Sequence, residues 1–322
     1  MQPAGIRNRH LLRTVKGIMM IEDRNKPEWK AQKTYAQNRL DSKVKATLPP
    51  LTPEEKARPF AKYYYEEIKQ PDPAHYARMD QPIDPARAFD PEEINRLLDV
   101  ERLETEEVEV GWCNLANGAG FIANRIFYPG ATADMIDWWF AWHALEDLRY
   151  RIWYPPQHAG IMLSPIDRAR ILDPAIPNRE KNWGVTHCVT EDCDCGMENI
   201  HITFRSPADM GFDMERFHKV IAAFAGGEGW STPVDKEDSS IAAPAIMCHL
   251  FYNAAGGLVQ RTRFWMGYHF NKEGKPELCL PPGWSVPGKS IQGLARHNVK
   301  EFTRLSDLLP RIYREFGHSM YC

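Results

Sequence analysis

No run of about 18 apolar residues occurs in the 322-residue chain, so no transmembrane helix and no membrane partner are expected. Charge of one sign is also lacking. The 40 Lys and Arg stand against 43 Asp and Glu, a net charge of −3. No strongly basic face follows, so nucleic acid is not an expected partner, and acidic substrates gain no steering. The Walker loop, the dinucleotide glycine fingerprint and the Ser or Cys hydrolase elbow are missing. Asn117-Gly118-Ala119-Gly120 reads as a hairpin turn, not a phosphate cradle. Cysteine is sparse and odd in number, seven in all, and the N-terminus lacks the apolar core of a signal peptide. Free thiols in a reducing cytoplasm are the expectation. Cys193 and Cys195 have one residue between them and no second pair at finger-like distance, so they are read as free thiols and not as zinc ligands. Internal repeats and low-complexity tracts are absent.

What is present is enough apolar material for a sizeable core, 43% of residues, and a heavy aromatic load of ten Trp, twelve Tyr and fourteen Phe. Such residues either line a pocket for a flat ligand or fill a core. Residues 1–105 are charged, proline-punctuated and free of β-patterned runs. Thr52-Pro53-Glu54-Glu55 and Asp90-Pro91-Glu92-Glu93 read as helix starts with cap, Pro and acidic first turn. This segment reads as a helical arm that packs on the main domain or on a second subunit. From residue 106 to 322 the pattern changes. Two strands flank the Asn117-Gly118 turn, a Trp-rich helix follows with Thr132 as its cap, and ENIHITF alternates with Ile200, Ile202 and Phe204 on one face. A long hairpin turns at Gly256-Gly257. The chain closes on a helix carrying Leu294, Phe302, Leu305, Leu309, Ile312 and Phe316 at helical spacing, with a kink or restart expected at Pro310. This is an α+β pattern, a curved antiparallel sheet gripping a helix, and such a sheet encloses a cavity.

Four places could carry chemistry. His297 and Glu301 lie four apart on the terminal helix and share a face, so they can chelate one divalent ion. The same spacing is also that of an ordinary solvated pair. His158 follows Pro155-Pro156 beside Trp153 and Tyr154, and it could equally be a hydrogen-bonded core residue. In THCVTEDCDCGMENIH, Val189 suggests a strand that turns Glu191 inward, against the reading of a solvated loop Glu. His249, on a strand before the hairpin, is an acid, a base or a hydrogen-bond donor if it faces the cavity, and a satisfied core His otherwise. His143 and Glu146, an i,i+3 pair on the Trp-rich helix, rank below His158 as a metal pair.

The run FYPGATADMIDWWFAWHALEDLRYRIWYPPQH, the later VTE, the hairpin RTRFWMGYHF and the terminal HNVKE together resemble the 2,4-diacetylphloroglucinol hydrolase family, which includes phloretin hydrolase. The resemblance spans about residues 106–316. It implies a helix-grip fold of the START and birch-pollen-allergen type, with the N-terminal region used to form a homodimer. It implies zinc held by two His and two Glu, here His158, Glu191, His297 and Glu301, with Glu198 close enough in sequence to compete with Glu191. It implies hydrolysis of the carbon–carbon bond between an acyl group and a polyhydroxylated aromatic ring. Tyr150 and His249 are the matching catalytic candidates, and Trp153, Phe264 and Trp265 the substrate-binding ones. Two departures stand out. Ile161 occupies a position where an amide is expected, and Phe264 one where a Tyr is expected. The competing readings are a carrier of hydrophobic ligands on the same fold, which would need no convergent metal ligands, and a related metal-dependent hydrolase or lyase acting on another aromatic ketone.

Overall fold

In the computed structural model the described residues are 48–105, 108–234 and 244–321. Among the described residues three short α-helices, α1 (Pro53–Lys56), α2 (Pro73–Ala77) and α3 (Val100–Thr105), precede the first strand. At α1 the expected capping box is formed: the Thr52 hydroxyl accepts from the Glu55 amide, and the Glu55 carboxylate accepts from the Thr52 amide. At Asp90 the expectation is half met. A helical turn of 3₁₀ type spans Pro91–Leu98, but the Asp90 side chain does not cap it and instead accepts from the hydroxyl of Tyr268 at 2.7 Å.

Eight antiparallel strands follow: β1 (Gly111–Asn114), β2 (Gly120–Pro129), β3 (His158–Met162), β4 (Thr186–Asp192), β5 (Met197–Phe204), β6 (Ala223–Pro233), β7 (Ala245–Ala254) and β8 (Gly257–Met266). They form one sheet in the order β1-β2-β8-β7-β6-β5-β4-β3. Gly118, at φ +87°, makes the turn between β1 and β2, and Gly256, at φ +78°, the turn between β7 and β8. Between β2 and β3 lie α4 (Ala133–Trp142) and α5 (Asp147–Arg151), α6 (Pro165–Leu172) follows β3, and α7 (Met214–Val220) precedes β6. A short pair, β9 (Tyr268–Phe270) and β10 (Pro276–Leu278), leads to the terminal helix α8 (Gly288–Phe316).

The shape of the sheet follows from what α8 touches. β1 and β3 are its opposite edges. Laid flat, eight strands about 4.8 Å apart would hold those edges roughly 34 Å from each other. Yet α8, about 10 Å across, meets both ends. Its Asn298 accepts from Asn124 of β2 at 2.8 Å, while His297 and Glu301 lie within 3.8 Å of Glu191 on β4 and His158 on β3. The sheet therefore bends around the helix and leaves a hollow between them.

The helix runs as one element of 29 residues through Pro310, so it does not restart there. Pro310 removes one amide donor, but Leu305, Leu308, Leu309 and Ile312 are buried on both sides of it and hold the helix to the core. Residues 48–105 share the cores of the main body. Phe60 packs edge-on against Trp142 (5.2 Å) and Phe316 (6.0 Å), and Phe89, Ile94 and Leu97 cover the outer face of the sheet.

Candidate metal centre and cavity

The terminal helix brings His297 and Glu301 over one point, as a four-residue spacing requires. β3 begins at His158, which faces Glu191 across the β3–β4 pairing. The four side chains converge. His158 Nε2 is 3.5 Å from a carboxylate oxygen of Glu191 and 3.5 Å from one of Glu301, and His297 Nε2 is 3.8 Å from each carboxylate. All four residues are buried.

Their surroundings select the ring nitrogens. His158 Nδ1 donates to the Tyr150 carbonyl at 3.1 Å, and His297 Nδ1 donates to the Gln157 side-chain oxygen at 3.2 Å. Each Nε2 is thus left with its lone pair directed at the carboxylates. His297 Nε2 has no hydrogen-bond partner among the described residues. The carboxylates are held as well. Tyr150 donates to one Glu191 oxygen and the Cys193 thiol to the other at 3.4 Å, and Asn298 donates to Glu301 at 3.4 Å. Burial pushes Glu191 up to about 7 and Glu301 well above the ordinary carboxylate range, and it pushes His297 down to about 3. Two desolvated carboxylates facing two neutral imidazoles form a buried nitrogen–oxygen donor set. The residues fit a divalent ion such as zinc, with outer partners already aiming each ligand.

Glu198, the competing candidate, sits directly across from Glu191 on β5. It lines the cavity but accepts a hydrogen bond from Ser231 and makes no ion pair with either imidazole among the described residues. Glu191 is the carboxylate that faces both His. The structure also brings in a residue that spacing alone had set aside. Cys193 forms a compact group with Glu191 and His297. That loop approaches α8 because position 293 is glycine: a Cβ there would stand 2.5 Å from the Cys193 carbonyl oxygen. His143 and Glu146 are not a metal pair. Glu146 binds Arg58 at 2.8 Å near the surface, and His143 points its Nδ1 at the Trp139 carbonyl.

Glu191, His297 and Glu301 of this centre line a cavity of about 470 Å³. Tyr150, Trp153, His249 and Phe264 line it, as does Phe302 of α8. His249 is neutral, pushed to about 3 by burial. Its Nδ1 lies 2.9 Å from the Thr262 hydroxyl and 3.4 Å from the Gln260 side-chain amide nitrogen, which can only donate, so Nδ1 is the acceptor and the proton of the ring sits on Nε2. Trp265 is a correction to the expected wall. It is fully buried on the other face of the sheet, donating to the Phe89 carbonyl at 2.7 Å. Neighbours on a strand point to opposite faces, so Phe264 and Trp265 cannot both line one cavity. The sequence reading gave no weight to His187, which lines the cavity beside His143. Period-two alternation through His187, Val189 and Glu191 is the signal that exposes it.

A profile of the DAPG hydrolase PhiG domain matches residues 89–314. The phloretin hydrolase of Eubacterium ramulus is 35% identical over 270 residues, covering 81% of this chain and 92% of that protein. The 2,4-diacetylphloroglucinol hydrolases of Pseudomonas sp and of Pseudomonas protegens are each 28% identical over 277 residues, covering 81% of this chain and 89% and 85% of theirs.

Proposed function

The chain belongs to the DAPG hydrolase family, and on that premise we propose that it is a zinc-dependent hydrolase cleaving the carbon–carbon bond between an acyl group and a polyhydroxylated aromatic ring, as in an acylphloroglucinol or a phloretin-like ketone. The observation that carries the reading is the convergence of His158, Glu191, His297 and Glu301 beside a cavity of about 470 Å³. That volume suits a small aromatic ketone, and a carrier has no use for four buried ligands. No membrane-spanning helix is found among the described residues.

The reaction adds the hydroxyl of water to the acyl carbon and its hydrogen to the ring carbon, breaking the bond between them. When bound, zinc supplies Lewis acidity towards the ketone oxygen and towards water. The chain's own residues do the rest. His158, Glu191, His297 and Glu301 would hold the ion. Tyr150, kept protonated well above its ordinary range by burial and by Glu191, steadies that carboxylate and offers its oxygen to a substrate hydroxyl. His249 presents Nε2–H to a phenolic or carbonyl oxygen. Trp153, Phe264 and Phe302 wall the ring and exclude water.

We extend the proposal to the fold and the assembly. The bent sheet around α8 supports a helix-grip domain over residues 106–322. The free thiols among the described residues support a cytoplasmic setting. Residues 1–105 are assigned a role in a homodimer, which light scattering checks: a monomer at micromolar concentration refutes it. For the activity, metal content of protein purified without chelator is measured, and acylphenols are screened with and without chelator. About one zinc per chain and chelator-sensitive acid release are expected. Full activity in metal-free protein overturns the reading.

A further inference from the structure

Away from the four ligands the cavity has a second polar wall. It carries His143, just after α4, and His187 of β4, with their rings 5.6 Å apart and edge to face. Their hydrogen bonds select the tautomers. His143 Nδ1 lies 2.7 Å from the Trp139 carbonyl, which can only accept, so the ring proton is on Nδ1 and Nε2 keeps a lone pair. His187 Nε2 donates to the Asn182 side-chain oxygen at 3.1 Å, so its lone pair is on Nδ1. Neither lone pair meets a donor among the described residues. Burial lowers His143 to about 4 and holds His187 well below its ordinary value, so both rings are neutral at neutral pH.

The surroundings are aromatic. The rings of Trp139, Phe140 and Trp153 lie 5.5, 5.7 and 5.3 Å from His143. A buried acceptor in such walls is costly until a donor arrives. The ring of Tyr150 stands 6.0 Å from His143 and stacks 4.2 Å over His158. Tyr150 therefore adjoins both the second wall and the ligand His158. His249 faces the same space with the opposite character, a donor whose tautomer is fixed by Gln260.

We propose that His143, seconded by His187, is a hydrogen-bond acceptor subsite that binds a ring hydroxyl of a phenolic substrate and rejects the O-alkylated counterpart. The inference rests on the hydrolase reading for the orientation of the ring, with the acyl carbonyl at the four ligands and the opposite hydroxyl at His143. An ether oxygen brings no hydrogen and meets a lone pair, so the substrates of this cavity are free phenols and not their methyl ethers.

The test titrates the purified, metal-loaded protein with acetylphloroglucinol and with its para-O-methyl ether by calorimetry, and follows acetate release in the same samples. The wild-type protein is expected to bind the free phenol at least about ten-fold more tightly, the worth of one buried hydrogen bond. His143→Phe keeps a flat ring in the aromatic cage and removes the acceptor. The Trp139 carbonyl it abandons still receives the backbone amide of residue 143. The variant is expected to bring the ratio to about one while its zinc content stays at the wild-type level. Equal affinities for the two compounds in the wild-type protein overturn the proposal, whatever the variant does. A ten-fold ratio that persists in folded His143→Phe also overturns it. Discrimination without acetate release from either compound leaves the subsite standing and defeats the hydrolase reading instead.

Discussion

Removing the metal should make the stability of this protein depend on pH in a way the loaded protein does not share. The reason lies in Glu191 and Glu301. Without a cation, burial pushes Glu191 from 4.5 up to about 7, and Glu301 moves in the same direction. A raised carboxyl holds its proton in the folded state at a pH where the unfolded chain has released it. Its stabilising contribution is complete below 4.5, falls as pH rises, and is gone above about 7. For Glu191 the span corresponds to about 3 kcal/mol, and Glu301 adds to it. At roughly 2 °C per kcal/mol for a chain of this size, the metal-free protein should lose about 6 °C or more in melting temperature between pH 4.5 and 7.5 relative to the loaded form. With metal bound, the same carboxylates are needed as anions, so rising pH favours ligation. The assay is thermal denaturation by circular dichroism, with and without chelator, across that range. Taking the difference between the two forms cancels every group that titrates alike in both. A difference that stays constant with pH, or narrows as pH rises, refutes the reasoning.

Three further outcomes are expected. On the proposed metal site, where the two would act as one chelating unit, His297→Ala and Glu301→Ala should each lose most zinc and nearly all turnover, and the double variant should be little worse than either; zinc retained in His297→Ala, measured by mass spectrometry, counts directly against the site. Cys193→Ser with Cys195→Ser should keep wild-type zinc content, since a serine hydroxyl can still donate to Glu191 where the thiol does now; loss of the ion would make Cys193 a ligand. Phe60→Ala, which empties the space between Trp142 and Phe316, should cost about 3–5 kcal/mol by chemical denaturation; a change below 1 kcal/mol would show that residues 48–105 do not share the main core.

Much of the architecture was legible in the sequence, because local patterns are enforced by local physics. Period-two alternation placed Ile200, Ile202 and Phe204 on one face of β5, and all three line the cavity. The turn glycines, the Thr52 capping box and the long apolar stripe of α8 were readable for the same reason. The i,i+4 spacing of His297 and Glu301 determined that they share a face. It could not say what that face meets, and a solvated pair has the same spacing. Only the tertiary structure decided that. The bend of the sheet carries β3 and β4 round to the helix that β2 also touches, so residues more than a hundred positions apart become neighbours within 4 Å. The same closure separates Glu191 from Glu198, which register makes equivalent across a strand pair and only the position of α8 distinguishes. It turns Trp265 away from the cavity and packs the N-terminal segment over it. It assembles the wall of His143 and His187 from a helix end and a strand, where each imidazole alone reads as an ordinary buried histidine. Strand and helix periodicities are properties of a few consecutive residues, whereas a site is a property of how distant faces are brought together, and burial is what gives those faces their chemistry.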